Sequence, residues 1–345
     1  MDEKFNSDQR GTKTVLVAPL DWGLGHTTRC IPIINDLLNS GNRVILAGNP
    51  VQQQILATEF PGLEYIPLEG YGIRYGRGKW NTILGLITQL PKLTRAIRRE
   101  NAWLRELVKN KGIDMVISDN RYGLYHPAIH SVILTHQLAI RPPWGKMGMG
   151  LLQKWNYRHL QKFNECWVPD REEEMVCLAG ELSHPQQLPS VPVKYIGPLS
   201  RFNVKPSAHE SNRLLIILSG PEPSRSIWEE KLMSEIPALS SPITLIRGLP
   251  KGGKPLASYS HLEVFDHLDA DQLQTKIEKA EWVIARAGYS TIMDLSTLQK
   301  KAILIPTPGQ SEQEYLANYL QNKGIFFSER ENSFSLKDFF NKSVR

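Results

Sequence analysis

At 345 residues, 41% of them hydrophobic and 22% charged, the chain has material for two ordinary cores and no apolar run long enough to span a bilayer. Three cysteines, Cys30, Cys166 and Cys177, stand at spacings that suit neither a disulfide framework nor a metal knuckle, which excludes a small stapled scaffold and predicts buried thiols in a reducing compartment. The net charge of +6 is local: ten Lys or Arg against Glu100 and Glu106 within residues 74–111 leave the rest of the chain near −2.

The start, MDEKFNSDQRGTK, is polar and mixed in charge, unlike a signal peptide or anchor, so a cytoplasmic protein is expected. Short β-branched runs then alternate with longer stretches of helical periodicity, the pattern of βα units that build parallel sheets. Strands are predicted at 14–18, 43–47, 114–118, 131–135 and near Trp167, and again at 213–218, 243–246, 262–265, 282–285, 302–305 and 325–327. The proline-bearing stretch 188–201 and the polar residues 205–212 read as a linker between two Rossmann-like domains, residues 1–198 and 199–345.

In open parallel sheets ligands bind beyond the carboxyl ends of the strands, so the residues just after each run matter most. The first such stretch is PLDWGLGHTTR, residues 19–29. Gly23 and Gly25 permit a tight turn and close approach of a ligand, and the N–H groups of the following helix favour an anion or a sugar hydroxyl. That helix is predicted over 26–39, with Ile31, Ile34, Leu37 and Leu38 on one face, Gly41 ending it and Pro32 in or near its first turn. At the positive end of a helix dipole His26 is expected to be neutral and able to act as a general base; the alternative is a plain cap. Thr28 stands where a dinucleotide fingerprint needs its third glycine, which argues against NAD.

Within 74–111, Trp80, Ile83, Leu84, Leu86, Ile87, Leu90 and Leu93 interleave with Lys79, Lys92, Arg95, Arg98 and Arg99. This reads as an interfacial segment for an anionic membrane leaflet, or else as helices packing their apolar side on the domain with solvated charges outside. Aromatics are too sparse there for a nucleic-acid surface. Farther on, Asp119, Asn120 and Arg121 follow one strand and His136-Gln137 the next, so both groups are expected in one crevice. His126 and His130, expected on a helix between them, have metal-pair spacing but no third ligand, and no metal is assigned.

In the second half, Ser219-Gly220 and a helix from about Ser224 repeat the anion-cradle pattern, although Pro221 and Pro223 also suit a simple turn. The stretch 282–320 is richer. Arg286, Ala287 and Gly288 turn after a strand, Ser290 and Thr291 open a helix around a phosphate-sized space, and Asp294, on the same helix face, suits a ribose diol. The next strand ends in Pro306-Thr307-Pro308-Gly309, followed by Gln310, Glu312, Gln313 and Glu314, amides and carboxylates that suit a polyhydroxylated sugar.

Together these clusters resemble the GT-B glycosyltransferases, and among them the MurG-like group, glycosyltransferase family 28. The resemblance lies in Gly23-Leu24-Gly25-His26 after the first strand, His136-Gln137, the run from Arg286 to Asp294, and the Gln-rich helix at 310–318, in that order over residues 13–328. It implies an α/β fold of two Rossmann-like domains whose parallel sheets face a central cleft, with an acceptor on the N-domain side and a nucleotide-sugar on the C-domain side. By the same resemblance Ser219, Gly220, Ser290 and Thr291 lie near the diphosphate, Asp294 holds the ribose, Gln313 and its neighbours hold the sugar, and the backbone near Leu268 pairs with uracil. Gly23, Gly25, His136 and Gln137 fall to the acceptor. UDP-sugar is then a substrate, no cofactor or metal is needed, Arg286 helps neutralise the diphosphate, and His26 or Asp119 deprotonates an acceptor hydroxyl for an inverting transfer. A lipid-linked or cell-envelope glycan acceptor and a peripheral position on the inner face of the plasma membrane follow from the same likeness. A UDP-sugar hydrolase or epimerase on this fold, or a non-catalytic nucleotide-sugar sensor, would keep the same donor residues. Departures from the family pattern are Asp294 in place of a glutamate, Asp21-Trp22 before Gly23, and Ser-Gly-Pro-Glu-Pro-Ser-Arg at 219–225.

Overall fold

A computed structural model describes residues 12–71, 79–141, 149–203 and 213–343, the side chains of 79–90, 342 and 343 excepted. The chain forms two compact units, Met1–Leu199 and Ser200–Arg345.

The first unit runs β1 (Thr14–Ala18), α1 (Leu24–Asn39), β2 (Arg43–Gly48), α2 (Pro50–Glu59), β3 (Glu64–Pro67), α3 (Lys79–Lys111), β4 (Met115–Asp119), β5 (His130–Leu134), α4 (Met149–Leu160), β6 (Glu165–Val168) and β7 (Val193–Tyr195). All seven strands are parallel, in the order β3-β2-β1-β4-β5-β6-β7. Strand β1 is central, and Val15 to Ala18 are buried, as a strand covered on both faces requires. Leu16, Ala18, Ile45 and Val116 form one core with Leu104 and Leu107 of α3.

The second unit repeats the plan with β8 (Leu214–Ile217), α5 (Ser224–Glu235), β9 (Ile243–Ile246), β10 (Leu262–Phe265), α6 (Ala270–Lys279), β11 (Trp282–Ala285), α7 (Tyr289–Thr297), β12 (Ala302–Leu304), α8 (Ser311–Asn322), β13 (Phe327–Ser328) and α9 (Leu336–Ser343). Its order is β10-β9-β8-β11-β12-β13, again all parallel. In each sheet the strand order reverses beside the first strand, between β1 and β4 and between β8 and β11. A crevice opens at the carboxyl ends of such a pair because the flanking connections leave to opposite faces.

The structure departs from the sequence expectations at several elements. Strands β3 and β7 are additional; β7 lies inside the stretch read as linker and closes the first sheet against β6. No helix joins β4 to β5: His126 sits in a turn, and His130 begins β5, its Nε2 3.6 Å from a Glu165 carboxylate oxygen. Pro32 falls in the middle of α1 rather than in its first turn. Strand β13 starts at Phe327, two residues later than expected. Residues 205–212 lie outside the described residues.

Candidate active site

The loop from β1 into α1 opens the site of the first unit. Gly23 is the N-cap of α1 at φ 89°, a conformation that disfavours any side chain, and no side chain caps the helix. His26 therefore sits in the first turn, not at the cap. Its Nδ1 lies 2.9 Å from Oδ2 of Asp119, the last residue of β4. Asp119 is fully buried and also receives Arg29, whose Nε lies 3.1 and 3.2 Å from the two carboxylate oxygens and whose Nη2 contacts Oδ1. Burial pushes the Asp119 carboxyl up, but the charges and hydrogen bonds of Arg29 and His26 outweigh it and hold it below the ordinary range. An ionised carboxylate only accepts, so His26 Nδ1 carries the hydrogen and Nε2 is the basic nitrogen. Burial, then Arg29, lowers the His26 pKa against the pull of Asp119, and nearby His136 lowers it slightly more. The result is a neutral imidazole, oriented by a carboxylate, with its side chain 17% exposed.

Asp119 has no surface of its own, which removes it as a direct base and leaves it as the group that orients His26. His136 follows β5 as expected and is buried; the Gln137 carbonyl accepts from Asn156 Nδ2 at 3.1 Å. Asn120, next to Asp119, adopts φ 54°, which turns the chain sharply at the strand end.

Two supports, Arg29 and Gln52, were not foreseen from sequence, and Arg121, expected in the crevice, is instead buried behind the loop. Arg29 lies one helical turn beyond His26, a spacing that was visible. Gln52 closes a capping box with Asn49 on α2, and its Nε2 lies 3.2, 3.0 and 3.3 Å from Pro19 O, Leu20 O and Thr27 Oγ1, so it holds the loop from behind. Arg121, fully buried, pairs with Glu100 at 2.7 Å and reaches Pro19 O, while Tyr71 donates to Glu100 at 2.7 Å. Burial raises the Glu100 pKa despite Arg121.

The second unit gathers its polar groups around β8 and β11. Ser219 and Gly220 follow β8, and α7 begins after its N-cap Gly288 with Tyr289, Ser290 and Thr291 in the first turn. Gly288 supplies no side-chain cap to α7, whereas the Glu222 carboxylate accepts from Ser226 N in the first turn of α5 at 3.2 Å, Asn49 caps α2 and Asp269 caps α6. Above Gly288 the space is open: the nearest atom to an added Cβ would be Thr291 Oγ1 at 4.0 Å. The first turn of α7, uncapped beside an open approach, favours an anion.

Asp294, farther along α7, accepts from Ser200 Oγ at 2.7 Å, and burial pushes its pKa up to about 6 against the pull of Arg201. Arg201 also lies close enough to His267 to help burial lower that imidazole. Leu268 is buried in the connection from β10 to α6.

Two donor assignments need correction. Arg286 is 1% exposed; its Nη1 lies 2.6 Å from Glu331 Oε2, its guanidinium carbon 5.2 Å from the centre of the Trp228 ring, and its Nη2 3.3 Å from Ser224 O. A guanidinium so engaged is a strut behind the loops, not a counter-charge for a diphosphate. Gln313 accepts from Thr307 N at 2.8 Å and donates to Gln310 Oε1 at 2.7 Å, so its amide shapes the turn before α8.

One His, Cys and Asp group among the described residues, Asp170, Cys177 and His184, brings its ligand atoms within 4.8 Å of one another. The Asp170 carboxylate already accepts from Arg171 N, Leu178 N, Ala179 N and Ser183 Oγ, so it anchors the loop after β6.

Residues 254–339 match the glycosyltransferase family 28 C-terminal domain. Over 113 residues, 31% of this chain and 30% of the relative, the sequence is 29% identical to the UDP-N-acetylglucosamine–N-acetylmuramyl-(pentapeptide) pyrophosphoryl-undecaprenol N-acetylglucosamine transferase of Synechocystis sp.. The match thus spans about a third of that curated relative. Among solved structures, the kitacinnamycin glycosyltransferase aligns at TM-score 0.64 and 15% identity, over 95% of this chain and 88% of that one. SnogD from Streptomyces nogalater aligns at 0.59 and 15%, over 95% and 89%. MurG of Acinetobacter baumannii aligns at 0.56 and 14%, over 97% and 91%. Two all-parallel Rossmann-like units and these alignments show that the chain has the GT-B fold of those proteins. Within that fold, residues 254–339 are similar to the C-terminal domain of glycosyltransferase family 28.

Proposed function

We propose that the protein is an inverting, metal-independent glycosyltransferase that moves a hexose or N-acetylhexosamine from a UDP-sugar to a hydroxyl of a lipid-linked or cell-envelope glycan acceptor. The observation that carries this reading is the His26–Asp119 pair at the β1/β4 switch point. Nε2 of His26 takes the proton of the acceptor hydroxyl, the oxygen attacks the anomeric carbon, and the bond to UDP breaks on the opposite face. Asp119 fixes the tautomer and steadies the imidazolium as it forms. In the second unit the first turn of α7, with Ser290 and Thr291, and the Ser219-Gly220 turn receive the leaving diphosphate, with Asp294 at the ribose and Leu268 near the base. With Arg286 committed to Glu331, the neutralising groups are backbone N–H and hydroxyl donors.

The name of the Synechocystis relative supports a UDP-linked donor and a polyprenyl-linked acceptor. For membrane docking, Lys92, Arg95, Arg98 and Arg99 of α3 are exposed while Ala96, Ile97 and Leu104 are buried. Arg74 and the side chains of Lys79, Trp80, Ile83, Leu84, Leu86, Ile87 and Leu90 lie outside the described residues.

The test is turnover of UDP-N-acetylglucosamine with and without a polyprenyl-diphosphate glycan. UDP release that requires the acceptor and disappears in His26→Ala, with UDP binding retained, supports the transfer. Free sugar released without acceptor would convert the reading to a hydrolase, and binding without turnover would leave a sensor.

A further inference from the structure

The carboxyl-terminal segment packs into the second unit far from the strands that carry the donor residues in sequence, yet it meets them in space. Phe334, Leu336 and Phe339 are buried in the core with Trp228 and Leu232 of α5. Three polar ties run along the same seam: Lys231 Nζ to Glu331 O, Ser335 Oγ to Glu235 Oε2 at 3.0 Å, and Leu336 N to Glu235 Oε2 at 2.7 Å. The innermost contact is the ion pair of Arg286 with Glu331, 1% and 12% exposed.

From this we infer that Glu331 is a positioning residue for donor binding: by holding Arg286 it sets the two strand-end loops that receive the diphosphate. The inference rests on the donor assignment proposed above. Arg286 leads out of β11, two residues before the N-cap of α7, and its Nη2 and Nη1 reach the carbonyls of Ser224, the first residue of α5, and Ile305, just beyond β12, at 3.3 and 3.4 Å. One guanidinium therefore links the turn that leads into α7, whose start is uncapped, to the start of α5 beside the Ser219-Gly220 turn. A cation this deeply buried keeps its place only while its counter-charge is there. Without Glu331 the guanidinium turns toward water, and the loops on either side lose their common anchor.

The experiment uses the full chain and UDP as the probe, comparing wild type, Glu331→Gln and the double variant Arg286→Met/Glu331→Gln by calorimetric titration and thermal unfolding. Glu331→Gln is expected to weaken UDP binding about tenfold and to lower the melting temperature. The double variant removes both charges, so it is expected to regain most of the melting temperature while UDP binding stays weakened. With activity in hand, the same variants raise the KM for the UDP-sugar and leave kcat within about twofold. A double variant that melts like wild type and binds UDP like wild type overturns the inference, since the pair would then be merely structural. Should the double variant fail to fold, Glu331→Asp decides. It keeps the charge one methylene short, and weakened UDP binding at an unchanged melting temperature supports positioning, while unchanged binding overturns it. Wild type that binds no UDP overturns the donor assignment itself, a failure visible before any variant is compared.

Discussion

At the scale of single residues, the burial of Asp119 makes His26 the base in the proposed transfer. Its two oxygens are taken by Arg29 and His26, so Asp119→Asn should leave UDP binding intact and lower turnover by roughly 10²- to 10⁴-fold, through loss of the tautomer and of the charge that steadies imidazolium. The same variant strands Arg29 as a buried cation, at a cost of about 3–5 kcal/mol read as a fall in melting temperature. The pH dependence has a definite sign. His26 has its pKa lowered in the folded state, so the unfolded chain binds its proton first, and this contribution to stability is present above the ordinary imidazole value and lost as pH falls through the depressed one. The acid limb of kcat/KM should accordingly lie below about 6.5, and His26→Gln should remove part of the loss of melting temperature between pH 7 and pH 5. Asp294 runs the other way. Its pKa is raised to about 6, so its stabilising contribution is full at low pH and lost as pH rises through 6. Asp294→Asn, which can still accept from Ser200, should raise stability at pH 8 by roughly 1–3 kcal/mol, leave it unchanged at pH 4, and weaken UDP binding. An unchanged UDP affinity would take Asp294 out of the ribose site.

At the scale of elements, what was legible followed from periodicity. Strands buried on both faces must be runs of apolar residues, so β1, β2, β8, β9 and β11 stood out in the sequence. Strand β3, Glu-Tyr-Ile-Pro, borders β2 alone, and β7, Val-Lys-Tyr, borders β6 alone; edge strands are short and half-polar and carry no such mark. The expected helix around His126 failed because the Ser118 and Ser131 side chains knit that connection into turns, Ser118 Oγ donating to Arg121 O at 2.6 Å and Ser131 Oγ accepting from His126 N at 3.0 Å. Among the candidate site residues, those at strand ends were legible from position alone. Partners that approach only through the fold were not: Glu331 is 45 residues from Arg286, and Glu100 is 21 from Arg121. Helix α3 allows a test at this scale. Replacing Lys92, Arg95, Arg98 and Arg99 with Gln removes exposed charge without touching the buried face, so the melting temperature should hold within a degree or two while cosedimentation with phosphatidylglycerol vesicles at low salt drops severalfold. Equal cosedimentation would reject this face as the docking surface.

At the scale of the whole molecule, the two units have the same strand plan but different chemistry at their switch points. The first presents His26, the proposed base, backed by a buried carboxylate and an arginine; the second presents the uncapped start of α7 and hydroxyls, with its own arginine turned inward. A diphosphate is stabilised by the second arrangement and gains nothing from a neutral imidazole, which is why the proposed nucleotide site lies in residues 200–345. Binding then stabilises that unit by RT ln(1 + [L]/Kd), about 2.7 kcal/mol at a ligand concentration one hundred times Kd. In a melting experiment with UDP, GDP and dTDP at millimolar concentration, UDP should raise the melting temperature by several degrees and the other two by less. The shift should shrink in Asp294→Asn and persist in His26→Ala, because the first variant alters the nucleotide site and the second only the base. Loss of the shift in His26→Ala with retention in Asp294→Asn would reverse the assignment and move the nucleotide to the first unit. An equal response to GDP would keep the site but remove uracil recognition near Leu268.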